Sequence, residues 1–278
     1  MISRLREIFF GEKIEYFGAL PYSEATETRG YLFNRSGLIP KSVIPFIVPY
    51  YTGEADNISA YAAVPDYHFI VGEMISRITD ELKKEYPAYS FIGFTDHSPI
   101  DERAAALKAG LGVKGKNGLI INEKYGSYIF IAAIFTDMPM PETVYRTVAD
   151  TKYGCIGCDR CIAACPTGTL AFVHSGESDF SLCPECLSSI TQKKGAHSEE
   201  EIALMKKHNT VWGCDICQKV CPHNKNIPKT PIEGFLNDRI PTLTEDIING
   251  MSDEEFQRRA FSFRGRAVPL RNIKEVNN

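Results

Sequence analysis

The distribution of cysteine constrains this chain more than any other feature of its sequence. All nine cysteines of the 278 residues lie between Cys155 and Cys221. Disulfides that stabilise a secreted fold would not be confined in this way, and the charged N-terminus contains no apolar core of a secretion signal. Dense cysteine in a chain without such a signal favours metal ligation in the cytoplasm, where we expect this protein to be located.

The first cysteine group has the spacing C-x2-C-x2-C-x3-C followed by proline. It reads Cys155-Ile-Gly-Cys158-Asp-Arg-Cys161-Ile-Ala-Ala-Cys165-Pro166. In bacterial ferredoxins the first three cysteines of such a run bind one [4Fe–4S] cluster, and the fourth binds a different cluster. Zinc sites pair two C-x2-C knuckles instead, so the spacing predicts an iron–sulfur protein.

The second cysteine group repeats the last three cysteines of this pattern, as Cys214-Asp-Ile-Cys217-Gln-Lys-Val-Cys221-Pro222. A crossed assignment follows from the shared pattern, with two [4Fe–4S] clusters and eight ligands. We predict that one cluster is bound by Cys155, Cys158, Cys161 and Cys221. The other is bound by Cys165, Cys214, Cys217 and either Cys183 or Cys186.

Strands alternate with helices before the cysteine region. Apolar patterning predicts strands over residues 42–48 and 89–95, and an amphipathic helix over residues 68–86. A second helix is expected to begin near Pro99 and to end at Gly110. Residues 118–122 and 128–136 are predicted to be two strands joined by a hairpin turn at residues 123–126.

The predicted fold class is α+β, with an α/β domain fused to a bacterial two-cluster ferredoxin-like domain. We expect the α/β domain over residues 1–145 and the ferredoxin-like domain over residues 146–230. Residues 231–278 contain a short helix near residues 253–260, and we expect this tail to pack on the core because it is too short to form a core of its own.

Composition and motifs exclude several classes of function. The formal net charge of -4 gives no global attraction to nucleic acid or to an anionic membrane. The longest apolar runs, such as residues 128–135, are far shorter than the roughly 18 residues of a membrane span. The chain has neither a dinucleotide-binding glycine motif nor a P-loop. The Gly- and Lys-rich segment 109–118 is either a ligand-binding loop or an ordinary surface loop.

Several motifs, in the same order along the chain, resemble the epoxyqueuosine reductase family. The resemblance runs from about residue 38 to Arg271-Asn272. The motifs outside the first cysteine run are Asp66-Tyr67-His68, Phe94-Thr95-Asp96 with Glu102-Arg103-Ala104, Gly110-Leu111-Gly112 through Gly115-Lys116-Asn117, Tyr125-Gly126-Ser127 through Phe135-Thr136-Asp137, and Gly213-Cys214-Asp215-Ile216-Cys217.

This resemblance implies an oxidoreductase that holds base-off cobalamin in its α/β domain. Such enzymes are related to reductive dehalogenases and receive electrons through two [4Fe–4S] clusters. The implied reaction removes the epoxide oxygen of epoxyqueuosine at the wobble position of a tRNA, which consumes two electrons and two protons. It further implies tRNA as a partner, an electron donor of the flavodoxin or ferredoxin type and no membrane association. We expect a monomer.

The resemblance also assigns individual residues. Asp96 aligns with the acid that protonates the departing oxygen, although composition alone favours a helix cap at this position. We expect an apolar cofactor beside it to raise its pKa. The family leaves the lower face of cobalt without a protein ligand, so His68 and His97 are not expected to bind the metal. The predicted cobalamin contacts are Ser59, Tyr67, His68, Asp96, Arg103, Lys116 and Asn117.

The family register also selects between the two remaining cysteines. Its isolated ligand precedes a Thr by five residues and a Lys-Gly soon after. Thr191 and Lys194-Gly195 stand in these positions relative to Cys186. The resemblance therefore implies that Cys186 is the ligand and that Cys183 is the extra thiol.

Typical members of the family continue beyond the closing Arg-Asn as helical repeats that grip tRNA, so the resemblance indicates a short form. Two alternatives to tRNA modification stay open at this point. One is a related cobalamin and iron–sulfur reductase of a small organic substrate, and the other is an electron-transfer protein without cobalamin. The basic residues that could contact tRNA phosphates are Arg258, Arg259, Arg264, Arg266, Arg271 and Lys274.

Overall fold

The computed structural model describes residues 2–140, 143–144, 155–174 and 185–278. Internal contacts divide the chain into two compact units. The first unit consists of Met1–Pro49, Tyr67–Gly115 and Leu119–Cys155, and the second consists of Tyr50–Asp66, Lys116–Gly118 and Ile156–Asn278. Two stretches that precede the cysteines in sequence therefore pack with the second unit. The continuous boundaries predicted from the sequence stay a prediction.

The first unit is built on a five-stranded sheet with the order β3-β6-β2-β1-β7. All of its described strand pairings are antiparallel. The strands of this unit are β1 (Gly18–Pro21), β2 (Ser42–Pro49), β3 (Phe91–Thr95), β4 (Val113–Lys114), β5 (Ile120–Ile121), β6 (Ile129–Thr136) and β7 (Thr143–Val144).

The centre of the sheet is the long ladder between β2 and β6, which runs from Ser42↔Thr136 to Pro49↔Ile129. Every residue of β2 is buried, because its apolar run SVIPFIVP has no polar face to turn toward solvent. The strands predicted over residues 42–48 and 128–136 are thus confirmed. Strand β3 pairs with the other edge of β6 and ends at Thr95.

Helix α3 (Tyr67–Glu85) packs against β3 and confirms the amphipathic helix predicted from the sequence. Its buried face consists of Ile70, Val71, Met74, Ile75, Ile78, Thr79 and Leu82. Gly93 of β3 permits this packing, because a Cβ atom there would lie 2.1 Å from Cγ2 of Ile75. The unit also contains helices α1 (Ile2–Gly11) and α4 (Glu102–Lys108).

The predicted hairpin between residues 118–122 and 128–136 is wrong. Strand β5 pairs with β4 instead, through Val113↔Ile121 and Lys114↔Ile120. The turn after β5 is closed by reciprocal backbone hydrogen bonds between Asn122 and Gly126, but no ladder to β6 follows. Strand β6 has partners on both of its edges, β2 and β3, so neither edge is open to β5.

The second unit is formed largely by short helices. They are α2 (Ala60–Ala63), α5 (Arg160–Ala164), α6 (Thr169–His174), α7 (Leu187–Thr191), α8 (Glu199–Lys207), α9 (Ile216–Lys219), α10 (Glu233–Leu236), α11 (Glu245–Gly250), α12 (Asp253–Gln257) and α13 (Ala267–Asn277). None of the helices in the described ranges is long and apolar enough to span a membrane.

The C-terminal tail packs into the second unit around Trp212, which is fully buried. Phe261 contacts the indole edge-on, with ring centroids 6.0 Å apart. Asn272 of α13 donates two hydrogen bonds, to the carbonyl oxygens of Thr191 at 2.6 Å and Val211 at 2.8 Å. These contacts anchor the tail to the two segments that carry Cys186 and Cys214.

Candidate functional site

The described cysteines of the second unit lie on short helices and at their ends. Cys161 lies within α5, and Cys165 directly follows that helix. Cys217 lies within α9, and one residue separates the end of α9 from Cys221. Cys186 is the N-cap residue of α7. None of the eight cysteines of the described ranges, which include the exposed Cys155 and Cys158, forms a disulfide. Cys183 lies outside the described residues.

Helices α5 and α9 are two copies of one local design and pack against each other. In each copy a cysteine in the helix is followed, four residues later, by a second cysteine in extended conformation and then by proline. Proline lacks the backbone N–H that a continuing helix would need, so the chain turns away directly after the cysteine. The pseudo-symmetry predicted from the sequence therefore exists at the level of helices.

The thiols of the second cysteine group are buried beside other thiols. Burial raises the pKa of Cys214 to about 11, with smaller contributions from the nearby Cys186 and Cys165. Burial likewise raises the pKa of Cys217 to about 12, with contributions from Cys214 and from Cys161. The four thiols predicted to bind the second cluster thus lie near one another.

A [4Fe–4S] cluster and a single metal ion place different geometric demands on their ligands. Within the described part of the chain, no three Cys, His, Asp or Glu side chains are close enough to bind one metal ion. Each ligand of a [4Fe–4S] cluster binds a different iron, so its thiolates need not converge on one point. Iron binding would release the protons of these thiols, because the thiolate is the ligand.

Ser59 packs against the segment that leads into Cys214. Gly213 has a φ of +70°, and a Cβ atom there would lie 2.1 Å from the Ser59 Oγ. Ala60, which follows Ser59 in the chain, donates its N–H to the Asp215 carboxylate at 2.5 Å. Asp215 also accepts a hydrogen bond from Gln218 at 3.1 Å. This buried carboxylate ties the Cys214 segment to α2, a role that the sequence did not indicate.

Lys116 and Asn117 also lie against the cysteine segments. Lys116 forms an ion pair with Asp159, which precedes α5 and has a φ of +55°. Asn117 is buried, and its interaction with Cys217 lowers the pKa of that thiol against the larger effect of burial. Ser59, Lys116 and Asn117 thus belong to the second unit, beside the cysteine segments. Their predicted contacts with cobalamin stay a prediction.

A second polar group lies at the end of β3 in the first unit. Asp96 directly follows the strand and adopts a φ of +65°, which turns its exposed side chain away from the strand direction. The His68 Nε2 lies 3.7 Å from the Asp96 Oδ2. Tyr67 donates a hydrogen bond to Asp96, and its ring stacks on Phe130 with centroids 4.1 Å apart. The structure therefore brings together three of the predicted site residues.

In the protein without cofactor, the interaction with His68 lowers the pKa of the Asp96 carboxyl, and Tyr67 and His97 lower it further. The increase expected beside a bound cofactor stays a prediction. The helix-cap alternative is wrong. Asp101 is the N-cap of α4 and accepts a hydrogen bond from the Ala104 N–H at 3.0 Å.

Glu102, the first residue of α4, is a partly buried acid that sequence reasoning missed, and its Oε1 is inaccessible to solvent. Burial, together with the charges of Asp96 and Asp101, raises the pKa of the Glu102 carboxyl to about 9. A Glu in the first turn of a helix is ordinarily exposed. Nothing in the pattern ERAAALK distinguishes this position, so the signal exists only in the tertiary structure. Arg103 follows on the same helix, and its predicted contact is untested.

Three of the basic residues proposed for tRNA have structural partners instead. Arg259 is buried and pairs with Asp238 at 2.7 Å. Arg266 donates to the carbonyl oxygens of Ile248, Met251 and Ser252. Arg271 donates to the carbonyl oxygens of Lys193, Lys194 and Gly195. The exposed side chains of this set include Arg258 and Lys274.

Comparisons with known proteins place this arrangement in a class. Residues 154–224 match the family of 4Fe-4S double cluster binding domains. Residues 154–224, which contain all nine cysteines, are therefore the double-cluster part of an iron–sulfur protein, as the spacing of the cysteines predicted.

The whole chain identifies the family. An epoxyqueuosine reductase of Cyclobacterium marinum is 34% identical over 248 residues, which cover 86% of this chain and 76% of the relative. The Pseudomonas aeruginosa and Escherichia coli epoxyqueuosine reductases are 37% and 33% identical, over 45% and 50% of their own lengths. The chain belongs to the epoxyqueuosine reductase family, and it spans about half the length of several of the curated relatives it matches.

Solved structures share the fold. The epoxyqueuosine reductase of Streptococcus thermophilus superposes with a TM-score of 0.76 at 23% identity, over 99% of this chain and 80% of that one. Another epoxyqueuosine reductase, crystallised with an epoxyqueuosine-modified tRNA-Tyr stem loop, gives a TM-score of 0.74 at 23% identity over 99% and 81% of the two chains. At this identity the likeness establishes the α+β architecture.

Proposed function

We propose that this protein reduces epoxyqueuosine to queuosine in tRNA, using cobalamin and two [4Fe–4S] clusters. Family membership supports the proposal, and the placement of Asp96 carries it. Asp96, the residue that we assign as the acid, lies exposed at the end of β3 beside Tyr67 and His68. The reaction converts the epoxide, two electrons and two protons into an alkene and water.

The cysteines fit the two clusters. In the proposed assignment Cys155, Cys158, Cys161 and Cys221 hold one cluster, and Cys165, Cys186, Cys214 and Cys217 hold the other. The electrostatic coupling of Cys214 to Cys165 and Cys186 supports the second set. When bound, the clusters supply electrons from a low-potential donor of the flavodoxin or ferredoxin type.

The polar residues fit a cofactor that is recognised by hydrogen bonds. His68 is engaged with Asp96, which agrees with a cobalamin that takes no nitrogen ligand from this side chain. Tyr67, His68 and Arg103 of the first unit, and Ser59, Lys116 and Asn117 of the second, are the proposed contacts. When bound, cobalamin supplies the reductive cleavage of the carbon–oxygen bond.

Asp96 supplies the proton in this proposal. A bound cofactor and substrate would remove water from around the carboxyl, and loss of water raises the pKa of a carboxylic acid. The neutral acid then donates its proton to the epoxide oxygen as the carbon–oxygen bond breaks. His68 and Tyr67 hold the carboxyl in position for this transfer.

The test is conversion of a defined RNA by the reconstituted enzyme. Protein loaded anaerobically with iron, sulfide and cobalamin is given an epoxyqueuosine-containing anticodon stem loop and a chemical reductant, and nucleosides are measured by mass spectrometry. We expect queuosine to form, and Asp96→Asn to lower the rate by about 10²–10⁴-fold, the usual contribution of a general acid. Asp80→Asn, on the exposed face of α3, is the matched control and should be fully active.

Two outcomes would contradict the proposal. Fully loaded wild-type protein that leaves the stem loop unchanged would exclude tRNA modification and direct attention to small organic substrates. Protein that takes up both clusters but no cobalamin would leave an electron-transfer function.

A further inference from the structure

Asp96 lacks a proton in the resting protein. Its side chain is exposed, and the interactions with His68, Tyr67 and His97 lower the pKa of its carboxyl, so the residue is a carboxylate at neutral pH. A general acid must carry a proton when the substrate reacts. A neighbouring group that holds a proton at neutral pH would supply it.

Glu102 occupies the position of such a group. The loop 96–101 links β3 to α4, so Asp96 and Glu102 stand at its two ends. The Glu102 Oε1 is inaccessible to solvent and has no hydrogen-bond partner among the described residues. Ser98 lies in the middle of the loop, and its Oγ is likewise buried without a hydrogen-bond partner among the described residues. The charge of Asp96 is among the interactions that act on Glu102.

A second segment covers this loop. Thr28 and Arg29 donate their N–H groups to the Pro99 carbonyl oxygen at 2.8 and 2.9 Å, and Asp101 donates its N–H to the Thr26 carbonyl oxygen at 2.9 Å. The two segments are thus hydrogen-bonded side by side. The Glu102 Oε1 is inaccessible to solvent, while the Asp96 side chain is exposed.

The charges around Glu102 favour its neutral form. Asp96 and Asp101 oppose a further negative charge, while Arg29 on the covering segment favours one. Burial outweighs all of these and raises the pKa of Glu102 to about 9. Two neighbouring carboxyls that interact in this way titrate as a pair, and the pair keeps one proton well above the pH at which an isolated acid would lose it.

We propose that Glu102 is the proton reservoir of Asp96, so that the two carboxyls share one proton and Glu102 holds it until the site is loaded. The inference rests on the proposed function, because it concerns the supply of the acid. Once cofactor and substrate are bound, Glu102 transfers the shared proton to Asp96, and Asp96 donates it to the departing oxygen. Both groups are then carboxylates, and Glu102 is reprotonated from solvent between turnovers. Glu102 acts through Asp96 and does not touch the substrate.

The first test is the pH profile of Glu102→Gln, an isosteric change that keeps a neutral side chain and removes the proton. Wild-type activity should stay level up to the titration of Glu102 near pH 9. In the variant Asp96 depends on protons from solvent, so activity should fall about tenfold for each pH unit above neutrality, as the protonated fraction of an acid does above its pKa. Near about pH 6 the variant should regain activity.

Conservative replacement separates this role from a structural one. Glu102→Asp keeps a carboxyl and should restore most of the activity lost by Glu102→Gln at alkaline pH. A purely structural role predicts that Glu102→Gln lowers activity by the same factor at every pH, and this result would overturn the proposal.

The second test needs neither cofactor nor substrate. Infrared difference spectra of the cofactor-free protein at neutral pH should contain the carbonyl band of a protonated carboxylic acid. The band should vanish in Glu102→Gln and persist in Asp96→Asn and in the surface control Glu81→Gln. No such band in the wild type would refute the reservoir even if the enzyme converts tRNA. A band of this kind in a protein that leaves tRNA unchanged would reject the substrate and keep the carboxyl pair.

Discussion

At the scale of single residues, the backbone at Asp96 decides where the proposed acid stands. A φ of +65° is uncommon outside glycine, and Asp and Asn tolerate it better than other residues. Asp96→Asn therefore tests chemistry without disturbing the turn, whereas a β-branched residue at this position would strain it. The same argument explains why the strand ends at Thr95 rather than continuing into the loop.

The choice between the two remaining cysteines is also a property of single residues. Cys186 caps α7 and acts electrostatically on Cys214, which supports it as the fourth ligand of the second cluster. We expect Cys186→Ser to lower the iron content of reconstituted protein from about eight to about four atoms per chain, because a cubane with three thiolates is easily lost. Cys183→Ser is the matched control and should keep both clusters. Unchanged iron in the Cys186 variant, or loss of iron in the Cys183 variant, would reverse the assignment.

At the scale of secondary-structure elements, the cysteines of the second unit rely on helices too short to be stable by themselves. Helix α5 has five residues and α9 has four, whereas isolated helices below about 12 residues are marginal in water. Their stability must come from packing and from the ligands they carry. Helix α13, with 11 residues, is one of the longer elements that support them.

The side chain of Asn272 in α13 makes a contact whose contribution to the free energy of unfolding can be measured. Its amide satisfies the carbonyl oxygens of Thr191 and Val211, and all three groups are buried. We expect Asn272→Ala to lower the free energy of unfolding by about 1–3 kcal/mol, because the two carbonyls would remain buried without a partner. Urea denaturation measures the difference. Asn277→Ala, at the exposed end of the same helix, should change stability by less than about 0.5 kcal/mol. Equal effects of the two substitutions would show that the buried amide is not the cause.

At the scale of the whole molecule, the two units have different sources of stability. The first unit has a continuous β-ladder with an apolar core around Tyr16, Phe33 and Phe135. The second unit has short helices, and its cysteine side chains are held together chiefly by the metal we propose there. A metal that binds the folded unit but not the unfolded chain stabilises the folded unit, and a higher affinity gives a larger stabilisation.

Removal of iron should therefore affect the two units unequally. We expect hydrogen–deuterium exchange after anaerobic chelation to show loss of protection in α5, α7 and α9, while β2 and β6 remain protected. Protein that has been reconstituted again with iron and sulfide is the control and should recover its protection. Uniform loss of protection across both units would show instead that the iron–sulfur part stabilises the entire chain.

Local patterns in the sequence determined the metal chemistry and much of the secondary structure. Ligand spacing is a local property of the chain, so the run from Cys155 to Pro166 was enough to predict two clusters, and the family profile confirms it. Apolar periodicity predicted β2 and α3 for the same reason. Motifs in register along most of the chain identified the family, which the relatives confirm.

Only the tertiary structure decided which groups pair and which are buried. The hairpin signal predicted the wrong partner for strand β5, because it carries no information about the two edges of β6 that β2 and β3 occupy. The sequence could not show that Arg259, Arg266 and Arg271 are used inside the protein, since an exposed and a buried arginine look alike in sequence. The lowered pKa of Asp96 and the raised pKa of Glu102 depend on neighbours and on solvent exclusion, which exist only after the chain has folded.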